Sequence, residues 1–427
     1  MNLAALRTQV AGVDVHKEML AITVLIGEAD KEPSVEQFEC STFTEDLMKC
    51  GRKLLDRGVR EVAMESTGIF WKPVYNVWGP MGIEVTVAQA AHVKNVPGRK
   101  TDMNDSHWIA TLHRFGLIRP SFIPDGVFQR MRLLSRHRTN LTGDLAKVKN
   151  RVQKVLEDGN IKWGSIVSDV FGKSGLKVLD LIADGVTNAQ TLSSAVTTKI
   201  KRKKEVEKSL TNCLTTDHCF VIKGLMDQYY YLTHKIQEVE NELVEKSAPY
   251  TDLLAKLDEI PGIDKILAMS ILAEATNKMS HFSDERKFAA WAGVAAGNNE
   301  SAGKKKRSKC RRGNPHLRRI LVQAAQNAKN KRGTFYRAKY NKLKFKLGSA
   351  NKAKVAIANR LARAIYKIIA GDKYKEIGYA RACEHEDKIR ILINQLKSLG
   401  VSIRHEGHEK IVSAKQKVID DTGVQIA

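Results

Sequence analysis

The chain has 427 residues, a formal charge of +24 and a pI near 9.7. This length allows two to four domains, and so large a positive charge indicates a polyanionic partner. A membrane is disfavoured as that partner, because no apolar run approaches the roughly 18 residues of a spanning helix and the N-terminus lacks a signal peptide's apolar core. We therefore expect a cytoplasmic protein. Its six cysteines form no Cys-x-x-Cys pair and are typical of reduced thiols rather than a zinc site or disulfides.

The pattern of residues 1–125 predicts an α/β domain. Two β-rich runs within residues 9–27 flank a short polar turn, as in a hairpin, and a third strand is expected near Val35–Cys40. Helical spacing over Thr44–Arg57 precedes two further strands, at Glu61–Met64 and Ile83–Val87. Three strands followed by alternating helix and strand indicate a fold of the ribonuclease-H type (RNase H-like).

Residues 126–249 predict two helical coiled-coil arms separated by an inserted subdomain at 160–222, whose role the sequence does not indicate. Each arm has apolar residues at alternating spacings of four and three, which is a heptad pattern, with one polar interruption at Arg138. The arms could pair with each other or with another subunit. The first seam is Val127, Met131, Leu134, Arg138, Leu141, Leu145, Val148, Val152 and Val155, and the second is Leu225, Tyr229, Leu232, Ile236, Val239 and Leu243.

Residues 250–372 predict a mainly α domain with almost no strand signal. Within it, residues 301–371 contain 22 Lys and Arg but no Asp or Glu, and nucleic acid is the best explanation for such a window. Residues 373–427 form a tail, with one more helix expected at Arg381–Leu399 and then a polar end that we expect to be disordered.

Four carboxylates in the first domain are candidate metal ligands. Asp14 lies in the middle of the first predicted strand, where an unpaired acid is expensive to bury, and Glu65 ends a later strand. Asp102 and Asp105 are spaced to share one face of a helix's first turn. Three of them have an ordinary alternative: Asp102 as a helix cap, Asp105 as a partner of the helix dipole, and Glu65 as a solvated strand end. Asp14 is harder to explain in this way, because its neighbours mark a buried strand.

Four converging carboxylates would suit Mg²⁺ or Mn²⁺, which prefer oxygen ligands. Two such ions can activate an attacking group and stabilise the leaving oxygen in phosphodiester cleavage. Three nearby histidines, His16, His92 and His107, are possible general bases or metal neighbours, although a structural role is favoured for each.

With these residues in view, the first domain resembles the RuvC-like domain of the DEDD insertion-sequence transposases, a family known for RNA-guided recombination. The matching stretches are Gly-Val-Asp-Val-His-Lys, Glu-Ser-Thr-Gly-Ile-Phe-Trp and Lys-Thr-Asp-Met-Asn-Asp. The resemblance implies that the family's four metal-binding, catalytic acids fall on Asp14, Glu65, Asp102 and Asp105.

The second half is similar to the same family. Residues 257–274 look like a helix-hairpin-helix element, in which backbone amides around Gly262 would suit a phosphate. By resemblance, Ser301 aligns with the family's serine nucleophile, although Ala302 stands where the family usually has Gly, and residues 295–298 depart from a Pro-bearing segment. The basic residues expected to bind nucleic acid are Lys304, Lys305, Lys306, Arg307, Lys309, Arg311, Arg312, Arg318 and Arg319.

The resemblance implies a transposase that cuts and rejoins DNA, at element ends and target, as a homo-oligomer (dimer or tetramer). A structured guide RNA encoded by the element would choose the sites. The alternative is a RuvC-like, metal-dependent junction endonuclease that uses water and needs no Ser301. A third class is a non-catalytic scaffold that binds nucleic acid through the basic window alone, and for it the acids would be dispensable.

Overall fold

The computed structural model describes residues 4–66, 68–88, 105–124, 126–196, 203–297, 300–301, 304–305, 310–375, 392, 396, 403–406 and 409–412. The chain divides into two compact units, Met1–Ile123 and Pro124–Ala427. No helix within these described ranges is both long and apolar enough to cross a bilayer. Five of the six cysteines are free thiols, and Cys383 lies outside the described residues.

A five-stranded mixed sheet forms the centre of the first unit. The strands lie in the order β3-β2-β1-β4-β5. The first three form an antiparallel meander, whereas β4 runs parallel to β1 and β5 runs parallel to β4. This mixed sheet is consistent with the expected ribonuclease-H type. The strands are β1 (Gln9–Val15), β2 (Met19–Ile26), β3 (Ser34–Ser41), β4 (Glu61–Glu65) and β5 (Glu84–Ala88).

Among the described residues of this unit, three α-helices accompany the sheet: α1 (Thr44–Asp56), α2 (Trp71–Trp78) and α3 (Asp105–Arg114). Helix α1 buries Leu47, Cys50 and Leu54, which are spaced three and four apart on one face. The fully buried Trp78 of α2 donates from Nε1 to the carbonyl of Leu47 at 2.8 Å, which joins the two helices. Each predicted strand and the predicted helix at 44–57 are confirmed to within about one residue.

Two long helices, α4 (Gly126–Asp158) and α8 (Thr216–Ser247), pack together in the second unit. They are antiparallel, because Arg138 binds Glu240 at 2.6 Å while Asp158 contacts His218 at 3.1 Å, further along α4 and earlier along α8. The polar interruption at Arg138 is therefore an ion pair across the two helices. The helices and their pairing agree with the expected arms, and a true supercoil stays a prediction.

The inserted segment packs at the far end of these two helices. It contains α5 (Lys173–Ala183), α6 (Ala189–Ser194) and α7 (Val206–Leu210). Trp163, which is 1% exposed, lies in a common core with Val152 of α4 and Ile222 of α8. The segment thus shares a core with the arms instead of forming one of its own.

Six helices and one 3-10 turn in the described part of the second unit surround a separate core, which includes Phe128, Leu272 and Leu361. The helices are α9 (Thr251–Asp258), α10 (Lys265–Ala275), α11 (Glu285–Trp291), α12 (Pro315–Ala328), α13 (Phe335–Leu347) and α14 (Ala350–Ile369), with a 3-10 turn at Ala248–Tyr250. This part of the chain is mainly helical, as expected.

Two short hairpins depart from the expectation of a strand-poor, partly disordered C-terminal half. They pair β6 (Glu300–Ser301) with β7 (Lys304–Lys305), and β8 (Ile403–Glu406) with β9 (Glu409–Val412). The second lies in the polar tail, where strand structure was not foreseen. Short hairpins are set by turn geometry and by a few β-branched residues, so they leave little periodic signal. The helix expected at Arg381–Leu399 falls mostly outside the described residues.

Candidate active site

Asp14 and Glu65 occupy matching positions on neighbouring strands. Strands β1 and β4 are parallel, and Val13 is paired with Met64. The next residue of each strand, Asp14 on β1 and Glu65 on β4, therefore lies beside the other, and the two side chains leave the same face of the sheet. The register brings together two acids that are 51 residues apart in the sequence.

Gly12 lets helix α3 rest directly on that face. It precedes Asp14 by two residues and so shares its face of β1. A Cβ at Gly12 would lie 2.2 Å from both the Ser106 carbonyl oxygen and the Ala110 amide nitrogen, a distance that backbone atoms cannot accommodate. Thr23, the partner of Gly12 on β2, adds a buried hydroxyl contact of 2.8 Å to Ser106.

Helix α3 runs antiparallel to β1, which decides where Asp105 lies. The end of α3 is held near the start of the chain, because the amides of Leu6 and Arg7 donate to the Arg114 carbonyl. The beginning of α3 lies near Gly12. Asp105, the first residue of α3, is thus at the end of β1 that carries Asp14. Asp102 lies outside the described residues.

Asp14 already has a polar neighbour. Its Oδ2 lies 3.1 Å from Nε2 of His16, and its side chain is 26% exposed. His107 is half-buried in α3, and His92 lies outside the described residues. The described part of the chain, which lacks Asp102, contains no group of three or more His, Cys, Asp or Glu side chains arranged to hold a metal. Asp14 and Glu65 leave the same face of the sheet and carry oxygen donors, the kind of ligand that a hard cation prefers.

Ser301 belongs to a short hairpin in the second unit. It lies on β6 and pairs with Lys304 of β7. At the base of the hairpin, Ala296 forms a bridge with Cys310, and the Arg311 amide donates to the Ala295 carbonyl at 3.1 Å. The segment that contains Ser301 is therefore closed at its base by the pairing of residues 295–296 with 310–311.

Two glycines allow the backbone to pack closely at the base of this hairpin. Gly293 has a φ of 72°, a left-handed conformation that favours glycine. A Cβ at Gly313 would lie 2.3 Å from the Trp291 carbonyl oxygen and 2.4 Å from the Gly293 amide nitrogen. Immediately afterwards, the side chain of Asn314 accepts from the amides of His316 and Leu317 and caps α12.

A buried carboxylate that the sequence analysis did not select lies next to the base of the hairpin. Glu274 of α10 is 0% exposed, and Asn314 donates to its Oε2 at 2.7 Å. Arg136 of α4 binds both carboxylate oxygens, at 2.7 and 3.0 Å, and Arg132 binds Oε2 at 3.2 Å. Glu274 thereby joins helix α4 to Asn314, the residue that caps α12. An acid within the otherwise apolar run of α10 was the available signal.

The charges around Glu274 decide its ionisation. Burial alone would raise the pKa of Glu274, but the hydrogen bond from Arg136, the charges of Arg132 and Arg136, and the Asn314 amide outweigh it and hold the pKa below its ordinary value. Burial also lowers the pKa of His316 nearby, with a further contribution from Arg136. The cluster is therefore an ionised carboxylate between two guanidinium groups, with a neutral imidazole beside it.

The basic residues expected to bind nucleic acid fall into three groups. Arg311, Arg312 and Arg319 are exposed, and Arg318 is half-buried on α12. Lys304 and Lys305 form β7. The remaining three, Lys306, Arg307 and Lys309, lie outside the described residues.

Gly262 occupies the turn between α9 and α10, in the expected helix-hairpin-helix element. Its φ is 94°, and a Cβ there would lie 2.5 Å from the Ala324 carbonyl oxygen and the Ala328 amide nitrogen of α12. The helix that follows is capped by Asp264, whose side chain accepts from the Leu267 amide at 2.8 Å. Close packing on α12 is enough to require glycine here, and a phosphate contact stays a prediction.

Comparison with protein families places both halves of the chain in one group. A DEDD transposase model of the IS110 type matches residues 11–161, and a model of the IS116/IS110/IS902 transposase family matches residues 254–341. The chain belongs to this family of insertion-sequence transposases. This transposase is therefore an enzyme of DNA transposition. No curated protein matches it significantly.

The two matched segments contain the predicted site residues of this transposase. The first spans the four acids from Asp14 to Asp105, and the second contains Ser301 and the basic residues after it. DEDD transposases generally use a divalent metal. Residues 162–253 and 342–427 lie outside both matches.

Proposed function

We propose that this transposase cuts and rejoins DNA with a carboxylate-bound divalent metal in its first unit and a serine nucleophile in its second. The observation that carries the proposal is the placement of Asp14, Glu65 and the start of α3 at one edge of the sheet. The carboxyl ends of β1 and β4 meet there, and close packing at Gly12 fixes α3 against them.

In this proposal Asp14, Glu65, Asp102 and Asp105 together bind Mg²⁺ or Mn²⁺. When bound, such an ion offsets the negative charge that develops on a phosphodiester under attack. The sheet and α3 hold the carboxylates, and His16 helps to orient Asp14 through its 3.1 Å contact. The RuvC-like subclass of the ribonuclease-H fold is proposed on the same residues.

Ser301 is proposed as the nucleophile. Its Oγ would lose a proton and form a bond to phosphorus, while the bond from phosphorus to one of its ester oxygens breaks and that oxygen takes up a proton. The energy of the ester is thereby kept in a protein–DNA link, and attack by the hydroxyl of a new strand reverses the step. Lys304, Lys305 and Lys306 follow the serine and would offset the phosphate charge.

The partners are proposed from the family resemblance and the charge. DNA at the element ends and target would bind the acid-free window, and a structured RNA would choose the sites. A dimer or tetramer would build composite sites from different subunits, with the helical arms supporting assembly. The proposed domains are 1–125, 126–249 with the insertion 160–222, 250–372, and 373–427, in a cytoplasmic protein.

Replacement of Ser301 tests the proposal most directly. Ser301→Ala should eliminate strand exchange between labelled element ends and target, because no ester can form, and should leave DNA binding unchanged. In the unaltered protein, digestion of a trapped intermediate should yield a peptide with the phosphate on Ser301. Ser308→Ala, in the same acid-free window, is the matched control and should recombine normally.

Recombination by Ser301→Ala at the native rate would contradict the serine assignment. If that variant instead released hydrolysed ends, with water in place of serine, the metal-dependent junction endonuclease would become the better description. Binding without any metal-dependent cleavage, even in the unaltered protein, would favour the scaffold.

A further inference from the structure

The end of α13 presents an aromatic ring to solvent. Phe345 is 93% exposed, two residues before the helix ends. Gly348 follows in the left-handed conformation, and Ser349 caps α14 by accepting from the Lys352 amide. The chain therefore turns sharply, and Phe345 lies at the tip of a helical hairpin.

The rest of α13 is well anchored, so the exposure of Phe345 is not due to a loose helix. Tyr336 and Tyr340 are 4% and 7% exposed and belong to the core of the second unit. Phe345 comes nine residues after Tyr336, which at about 100° per residue places it half a turn away from that buried face. The ring is thus held outward by a helix whose opposite side is packed.

The charge around Phe345 distinguishes it from other exposed rings. Lys344 and Lys346 flank it, and the whole window from residue 301 to 371 contains no Asp or Glu. Phe43 is 78% exposed but is followed by Glu45 and Asp46. A single exposed apolar side chain needs no explanation by itself. A ring between two lysines in an acid-free stretch of sequence combines a stacking group with phosphate-binding charges.

We propose that this tip, residues 344–348, binds an unpaired DNA strand, with Phe345 stacked on a base and the two lysines on the flanking phosphates. A phenyl ring has no hydrogen-bonding group, so the contact would tolerate any base. Bases in an intact duplex are already stacked on each other, so the tip would favour DNA opened during strand exchange. Phe345 lies beyond the family match that ends at residue 341. The inference rests on the proposed function only in requiring that opened DNA is bound.

The experiment compares binding of the full-length protein to two DNA duplexes, one fully paired and one with a central unpaired bubble that contains 2-aminopurine. Phe345→Ala should weaken binding to the bubble about 5- to 150-fold, the range expected for loss of one base–aromatic stack. Quenching of 2-aminopurine should be lost with Phe345→Ala and restored with Phe345→Trp. Phe220→Ala is the matched control, since Phe220 is 79% exposed outside the acid-free window.

Salt dependence separates the ring from the charges. Phe345→Ala should leave the slope of log affinity against log salt unchanged, because a phenyl ring releases no counterions. Replacement of Lys344 and Lys346 by Gln should reduce that slope by about 1.4 on the unpaired strand, about 0.7 for each phosphate contact.

Three results would overturn the inference. Unchanged bubble affinity in Phe345→Ala would remove the stack. A lower oligomer mass in that variant would show that a second copy of the chain covers the ring. A loss confined to RNA of the same sequence would make RNA the partner. Strand exchange by Ser301→Ala tests the proposed function separately, because Phe345 affects affinity whereas Ser301 affects chemistry.

Discussion

Asp14 in the sheet and Glu274 in the helical unit are both acids on apolar elements, but their surroundings differ. Asp14 is 26% exposed, and its Oδ2 lies 3.1 Å from Nε2 of His16. Glu274 is 0% exposed and is bound by Arg132, Arg136 and Asn314. A buried carboxylate needs partners from the protein, whereas a carboxylate near solvent at the end of a strand can exchange a protein partner for one from solution. Asp14 can therefore exchange its partner for a cation from solution, as the proposed metal site requires, whereas Glu274 joins helices.

The largest expected effect comes from neutralising Asp14. Asp14→Asn should lower the rate of metal-dependent DNA cleavage by about a thousandfold or more, since the loss of a metal ligand removes several kcal/mol of charge stabilisation. DNA affinity should hardly change. Cleavage of labelled element ends over a Mg²⁺ titration measures the first quantity, and fluorescence anisotropy measures the second.

Asp30→Asn is the control for Asp14, because Asp30 is an exposed acid between β2 and β3 of the same unit. It should cleave normally. Equal rates of DNA cleavage by the two variants would show that Asp14 is an ordinary surface acid and not a metal ligand.

Removing the charge of Glu274 should mainly affect stability. Glu274→Gln leaves two guanidinium groups without their carboxylate and should lower the free energy of unfolding by about 3 kcal/mol. The folded pKa of Glu274 is lowered, so its stabilisation is complete above the ordinary value of 4.5 and is lost as the pH falls through the folded pKa. Urea unfolding at neutral pH measures the change.

Glu285→Gln provides the matched control for Glu274. Glu285 binds Arg363 at 2.8 Å, but the two side chains are 23% and 39% exposed. Its loss should lower the free energy of unfolding much less than the loss of Glu274, because solvent screens an exposed ion pair. Similar losses for the two variants would show that burial does not distinguish Glu274.

His113 is a buried titratable group that differs from Glu274, because its Nε2 has no hydrogen-bond partner among the described residues. Burial, followed by the charge of Arg7, lowers the pKa of His113 from 6.5 to about 4. Between pH 6.5 and pH 4 the unfolded chain therefore binds a proton at His113 that the folded protein does not bind. This difference leaves the free energy of unfolding unchanged above pH 6.5 and lowers it by up to about 3 kcal/mol at pH 4.

Unfolding curves between pH 7 and 4 check this expectation. His113→Leu should lose stability less steeply over that range than the unaltered protein. His234→Leu, at a histidine whose side chain is 71% exposed, should follow the unaltered protein. Parallel curves for all three proteins would exclude His113 as a source of acid sensitivity.

Local patterns in the sequence predicted much of the architecture. Alternating and heptad spacings identified β1 to β5, α1, and the long helices α4 and α8, because burial of one face imposes a fixed period on each element. The hairpins at 300–305 and 403–412 were missed, since two to four residues are too few to show a period. The motifs also selected the candidate site residues Asp14, Glu65 and Ser301.

The sequence by itself determined the family, the acid-free window and the identities of the candidate catalytic residues, because these are properties of composition and local order. Only the tertiary structure decided that Asp14 and Glu65 are neighbours and that Gly12 admits α3. The same holds for Glu274, whose three partners come from positions 132, 136 and 314. Strand register and helix packing bring such distant residues together, and no local pattern specifies which ones will meet.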